Sequence, residues 1–232
     1  MSGEEYPVFD EETSFGESPF ESAEFVENPE PRCPCVLLLD TSSSMEGKPI
    51  DALNAGIRHF REELMQDDLA AKRVEVAVVG FGPVRMVSDF QTPEFFSAPE
   101  LAADGDTPLG EAVELALELV HERKETYKEN GINYYRPWVF LITDGAPTGP
   151  WENAAELVKA GEGDGSFAFF PVAVEGADME VLSLLSTRDP LQLDGLRFQD
   201  LFSWLSKSLQ MVSHSQIGTD VALPSPAGWA TV

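Results

Sequence analysis

Three stretches of this chain are apolar without interruption: CVLLLD at 35–40, RPWVFLITDG at 136–145 after its first two residues, and FAFFPVAV at 167–174. A strand with one wet face alternates apolar and polar residues, whereas a strand covered on both faces does not. Runs this short therefore predict the inner strands of a parallel sheet sandwiched between helices. The segments between them carry the matching helical spacing. Ile50, Leu53, Ile57, Phe60 and Leu64 recur at three- and four-residue steps after Pro49, a residue suited to a first helical turn. Leu109, Val113, Leu117 and Val120 do the same, with Glu111, Glu114 and Glu118 on the outer side. Further helices are expected at 151–160, at 178–186 and on Phe198, Leu201, Leu205 and Leu209.

VEVAVVGFG (74–82) and VRMVSDF (84–90) read as two strands joined by a tight turn at Gly82-Pro83, and 190–193 as a short edge strand. The fold class expected is α/β: a Rossmann-like, doubly wound, mostly parallel central sheet with helices on both faces and one antiparallel edge strand. Three parts follow along the chain. Residues 1–32 form an acidic leader, 33–213 the α/β domain, and 214–232 an extended tail containing ALPSPAGW.

The charge balance narrows the partners. With 41 acidic residues against 15 basic ones, the formal charge is −26. Such a field repels phosphate backbones and anionic headgroups, so no nucleic acid and no membrane surface is expected as a partner. No apolar run reaches the roughly 18 residues a membrane span needs. The beginning MSGEEYPVFDEE lacks the basic-then-apolar pattern of an export signal. Cys33 and Cys35 make a poor zinc site and a strained disulfide, and reduced thiols at a strand entrance suit a cytoplasmic protein. The leader holds Phe9, Phe15, Phe20 and Phe25 at five- or six-residue spacing, together with Thr13 and Ser14 among acids. It reads either as a solvated acidic segment or as one whose phenylalanines dock on a partner or on the domain itself.

Polar residues gather where the buried runs end. LLLD runs straight into Thr41, Ser42, Ser43 and Ser44; Thr107 lies in DGDTPLG at a helix start; Asp144 follows LIT. Serines alone would suit a helix cap, Thr107-Pro108 a helix start, and Asp144-Gly145 a turn. In a doubly wound sheet, however, all three groups reach one rim, beyond the carboxyl ends of the strands. Asp40 and Asp144 would repel each other there unless a cation lay between them. Every candidate donor (Asp40, Ser42, Ser44, Thr107, Asp144) is an oxygen, which selects Mg²⁺, with Mn²⁺ or Ca²⁺ as further possibilities, over zinc or copper.

These motifs resemble the metal-ion-dependent adhesion site (MIDAS) of von Willebrand factor A (vWA) domains: DxSxS after the first strand, a Thr in a D-T-P-L-G context, and T-D-G after a later strand. The resemblance implies that Asp40, Ser42, Ser44, Thr107 and Asp144 hold or support the cation, and that a partner's Asp or Glu carboxylate completes its shell. PRCPCVLLLDTS, the GKPI helix, DGDTPLGEA, LITDGAPT and ALPSPAGW further resemble the bacterial TerY-like branch. That likeness implies a scaffold or signalling role in tellurium resistance and stress response, beside a phosphatase and a kinase. Ser43 stands where the family commonly has glycine; a positive φ there would strain serine by about 1–2 kcal/mol.

A haloacid-dehalogenase-type phosphatase also places an Asp after its first strand, but that chemistry wants a second carboxylate at position 42, which is Ser42. No phosphate-binding loop of the Walker type and no nucleophile elbow occurs, and His59, His121 and His214 lie away from the rim motifs. The reading is a binding module without catalysis. Two further alternatives are a structural subunit acting through its leader, and a leader carboxylate plugging the open metal position from a tether close to the site.

Overall fold

The computed structural model describes residues 24–226 and 228–231. Among the described residues seven strands form one sheet, in the order β3-β2-β1-β4-β5-β6-β7. They are β1 Cys33–Asp40, β2 Val74–Phe81, β3 Arg85–Gln91, β4 Trp138–Thr143, β5 Ala168–Ala173, β6 Leu191–Leu193 and β7 Ala230–Thr231. The helices are α1 Lys48–Leu64, α2 Ala70–Arg73, α3 Leu109–Glu129, α4 Glu152–Gly163, α5 Met179–Leu185 and α6 Phe198–His214. β1 runs parallel to β2 on one side and to β4 on the other. β4, β5 and β6 continue in parallel. β3 is the expected antiparallel edge, and its ladder to β2 is broken by register shifts near Val78.

β1 shows why an unbroken apolar run was needed. Its alternate residues enter two separate cores: Cys35, Leu37 and Leu39 face α1 and α6, while Val36 and Leu38 face α3, α4 and α5. Both cysteines are free and fully buried, and burial first, then the nearby Glu75 charge, pushes the Cys33 thiol up to about 12. The close approach of α1 and α6 rests on Gly56, where a Cβ would stand 2.5 Å from the Phe202 ring.

The tail is more tightly held than its proline content suggests. Trp204 Nε1 donates to Pro224 O at 2.7 Å, the Trp229 ring is buried, and β7 pairs antiparallel with β6, so the strand near 190–193 is flanked on both sides. His214 closes α6 and does not stand in the tail; its ring contacts Asp67 at 2.9 Å.

The end of the leader is anchored at the amino end of β1. Arg32 is fully buried, with Nε donating to Glu75 Oε1 at 2.7 Å and Nη2 to Asn28 O at 2.6 Å. Arg123 pairs with Glu75 at 2.9 Å and with Glu24 at 3.3 Å, and Arg73 with Glu30 at 2.6 Å. The Phe25 ring is buried beneath both the Arg32 and Arg123 guanidinium groups, at 5.3 and 5.2 Å. Burial works against the Arg123 charge, but Glu75 more than offsets it and holds the guanidinium protonated. Phe25 therefore docks on the domain itself; Phe9, Phe15, Phe20, Thr13 and Ser14 lie outside the described residues. The tether is at the opposite pole of the sheet from Asp40, which corrects the expectation of a leader attached close to the rim.

Candidate functional site

The strand order reverses between β1 and β4, so the chain leaves these two neighbours in opposite directions and opens a crevice at their carboxyl ends. Asp40 closes β1 there and is fully buried. Its Oδ1 accepts from the Ser42 amide at 2.8 Å, and its Oδ2 accepts from Thr143 Oγ1, the last residue of β4, at 2.5 Å. The chain then turns through a short 3-10 helix, Ser43–Met45, whose Met45 side chain is buried and pins the loop to the core. This turn lifts Ser44 toward the neighbouring strand. Ser44 Oγ donates to Asp144 Oδ1 at 2.7 Å and lies 3.0 Å from Ser42 Oγ. Four of the residues expected from the sequence thus form one connected set of oxygens.

Thr107, the fifth, is buried beside them. A Cβ on Gly145 would stand 3.0 Å from its Oγ1, which places the hydroxyl against the residue that follows Asp144. The Thr107 backbone is held by a reciprocal pair with Thr148: Thr107 N donates to Thr148 Oγ1, and Thr148 N to Thr107 O, each at 3.0 Å.

Three loops are locked into a single rim. Asp104 N donates to Thr41 O at 2.7 Å, and both the amide and the hydroxyl of Ser43 donate to Gly105 O at 3.0 Å. Gly82 fills the space between, where a Cβ would lie 2.0 Å from Asp104 O and 2.6 Å from Thr41 O. Ser43 does not take a positive φ; among the described residues only glycines do, and in this region they are Gly47 and Gly105. The strain considered for serine is absent, because the turn is right-handed at position 43 and the side chain gains a carbonyl acceptor.

The electrostatics favour a cation. Burial raises the Asp40 carboxyl above its ordinary value; hydrogen bonds from Ser42 and Thr143 pull against this, and the Asp144 charge adds to the rise. Among the described residues no Lys, Arg or His forms an ion pair with Asp40 or Asp144. Nor is there, among them, a group of three or more His, Cys, Asp or Glu suited to a metal. Two carboxylates supplemented by hydroxyls are a donor set for a hard, oxygen-seeking ion. The residues fit such an ion chemically: a buried Asp40 and a half-buried Asp144 without a basic partner among the described residues, and the Ser42 and Ser44 hydroxyls beside them.

Sequence reasoning missed Thr143 as the residue that orients Asp40, although a lone hydroxyl ending the apolar run WVFLIT was a signal for it. It also missed the spacer role of Gly82. The histidines stay away from the rim. His59 Nε2 lies 2.8 Å from Ser203 Oγ and 3.3 Å from Glu63 Oε1, so serine and acid share one ring nitrogen and no proton relay runs through the imidazole.

Residues 35–198 match the model of the von Willebrand factor type A domain. No curated protein matches the chain. Similar solved structures include the pilus adhesin SpaC from Lactobacillus rhamnosus GG in its open conformation, with a TM-score of 0.63 and 13% identity over 78% of this chain and 30% of that one. Proximal thread matrix protein 1 from the mussel byssus aligns with a TM-score of 0.54 and 16% identity, over 78% of this chain and 48% of that one. The VWA domain of SpRpn10 aligns with 0.50 and 15%, over 71% and 87%. This chain thus spans about a third of the adhesin and about half of the mussel protein. At these identities the likeness is one of fold.

Proposed function

The chain belongs to the von Willebrand factor type A domain family, and from that premise we propose that it is a non-catalytic protein-binding module that works through a divalent metal. The ligands are Asp40, Ser42, Ser44 and Asp144, with Thr107 in direct or water-mediated support, and Mg²⁺ is the preferred ion over Mn²⁺ or Ca²⁺. The observation that carries this reading is the continuous link Ser42–Ser44–Asp144 across the crevice, next to a buried Asp40 that no basic residue among those described pairs with. When bound, the ion neutralises the acid pair and offers a remaining position to an Asp or Glu carboxylate of a protein partner. Thr143 and the Ser42 amide keep Asp40 oriented, and Ser43 and Gly82 hold the loops at fixed spacing, so the face is formed before a partner arrives.

The finer placement rests on the TerY-like motifs: a scaffold or signalling component of a bacterial tellurite and stress response, with a phosphatase and a kinase among its partners. It would act in the cytoplasm, a setting that suits the free, buried thiols of Cys33 and Cys35. The test is calorimetry with Mg²⁺ and Mn²⁺ on the wild type and on Asp40→Ala/Asp144→Ala. Saturable binding that disappears in the double variant is the expected result. An equal signal in both proteins, or none in the wild type, would remove the metal from the proposal.

A further inference from the structure

The pole of the sheet opposite the rim carries a cavity of about 530 Å³, at the amino ends of β4 and β5 and against the tail. Its lining is aromatic where it meets the core, with the buried Tyr135, Trp138 and Phe170. Arg136, Arg188 and Asp220 supply its charged groups.

One residue brings the two cations together. Arg136 Nη2 donates to the Glu162 carbonyl at 3.0 Å, and its Nε to Phe167 O at 2.8 Å. Arg188 Nε donates to the Glu162 carboxylate at 3.1 Å, and its guanidinium lies 4.9 Å from the centroid of the Phe170 ring. Both side chains are thereby held in place with donors to spare. Arg136 Nη1 and the two terminal nitrogens of Arg188 make no hydrogen bond among the described residues. Nor does Arg136 pair with a carboxylate there, and Asp220 pairs with neither arginine.

The third unspent donor is Trp138, which is 6% exposed. Its Nε1–H makes no hydrogen bond among the described residues, and that nitrogen keeps surface open to solvent, whereas Trp229 Nε1 is shut off from it. Trp138 lines the cavity, so the unused N–H opens into it. Indole N–H groups at buried positions ordinarily find an acceptor. Three groups of donors, two of them cationic, beside aromatic rings ask for a negative acceptor carried on an apolar body. A cation meets two guanidinium groups, and a bare inorganic anion leaves the rings uncovered.

We propose that this cavity binds a carboxylate carried on an aromatic body, the carboxylate accepting from Trp138 Nε1 and the two guanidinium groups while the ring lies against the aromatic lining. Two sources supply that chemistry. One is a free aromatic acid. The other is the leader, whose Phe9, Phe15 and Phe20 are each followed within two positions by an acid; they lie outside the described residues, and Glu24 joins them to this same pole. The site is separate from the metal face, and neither reading depends on the other.

The test uses the full chain labelled with ¹⁵N, titrated with 3-phenylpropionate and with its neutral counterpart 3-phenylpropanamide. The readout is the Trp138 indole resonance, one of four in the chain, assigned by its loss in Trp138→Phe. A saturable shift with the acid, roughly tenfold weaker with the amide and in Arg136→Gln, is the expected result. Asp220→Asn removes the opposing carboxylate from the lining and should tighten binding, a gain that misfolding does not imitate. The source is read in Phe9→Ala/Phe15→Ala/Phe20→Ala. A Trp138 resonance displaced before any probe is added, with tighter probe binding, assigns the site to the leader; wild-type behaviour assigns it to a free acid, and either result supports the site. Equal response to acid and amide, a response unaltered in both Arg136→Gln and Asp220→Asn, or no shift in either the wild type or the triple variant overturns it.

Discussion

Gly82→Ala places one methyl group between two loops that supply the site, without touching any proposed ligand. The new Cβ would stand 2.0 Å from Asp104 O and 2.6 Å from Thr41 O, where ordinary contacts begin at 3.4 Å. Both obstacles are backbone, so relief requires the loops to part by an ångström or more. They are joined by the Asp104–Thr41 bond and by the two Ser43 bonds to Gly105, which would stretch or break. Overpacking of this kind costs about 1–3 kcal/mol. In a domain of this size that lowers the unfolding temperature by roughly 2–12 °C. Displaced supporting groups lower metal affinity by about 10–100-fold. The assay is Mn²⁺ calorimetry and thermal unfolding on the same preparation, with hydrogen exchange at the Ser43 and Asp104 amides. A folded variant with wild-type Mn²⁺ affinity and wild-type protection at those amides would refute the claim that these loops act as one rigid rim.

Glu75→Gln leaves Arg32 and Arg123 buried without their carboxylate, and urea unfolding should show a loss of about 3–5 kcal/mol. Phe25→Ala removes the ring beneath two guanidinium groups; about 3 kcal/mol should be lost from the docking of residues 24–30, read as new protease cleavage ahead of Arg32 while the domain stays folded. Burial tends to raise the Glu162 carboxyl, but hydrogen bonds from Thr187 and Ser186 prevail and hold it below its ordinary 4.5. Its contribution is therefore complete above that value and fades as pH falls through the lowered one, so urea midpoints of Glu162→Gln should fall less between neutral and acid pH than those of wild type. Ser43→Gly forfeits the hydroxyl bond to Gly105 O and loosens the turn; about 1 kcal/mol of stability should be lost, with Mn²⁺ affinity reduced and not abolished.

The features legible in the sequence were those with a local cause. β1, β4 and β5 announced themselves because a strand covered on both faces has no polar alternation, and the rim followed because polar residues ended two of those runs. Asp40 and Asp144 are 104 positions apart, yet their convergence was predictable from the place where such strands end. What escaped were contacts made by separated elements. Glu75 looked like an ordinary polar position in VEVAVV; its partners Arg32 and Arg123 lie 43 and 48 residues away, and nothing local marks it as the centre of a buried ion network. β7 is two residues long in a proline-containing tail, and its pairing with β6 is set by Trp229 and Trp204 meeting, which no periodicity reports. The backbone angle at Ser43 depended on Gly105, a residue of another loop.

The anchoring of Arg32 at one end of β1 and the placement of Asp40 at the other have a mechanical meaning. Tension between the leader and anything gripped at the rim would run lengthwise along this one strand. β1 is held by eight register pairs to β2 and five to β4, all lying across the line of pull. Such a load shears the flanking ladders together and cannot peel them one bond at a time. The strand that presents Asp40 is thereby placed to bear force applied between its two ends, as a load on a partner held at the rim would be.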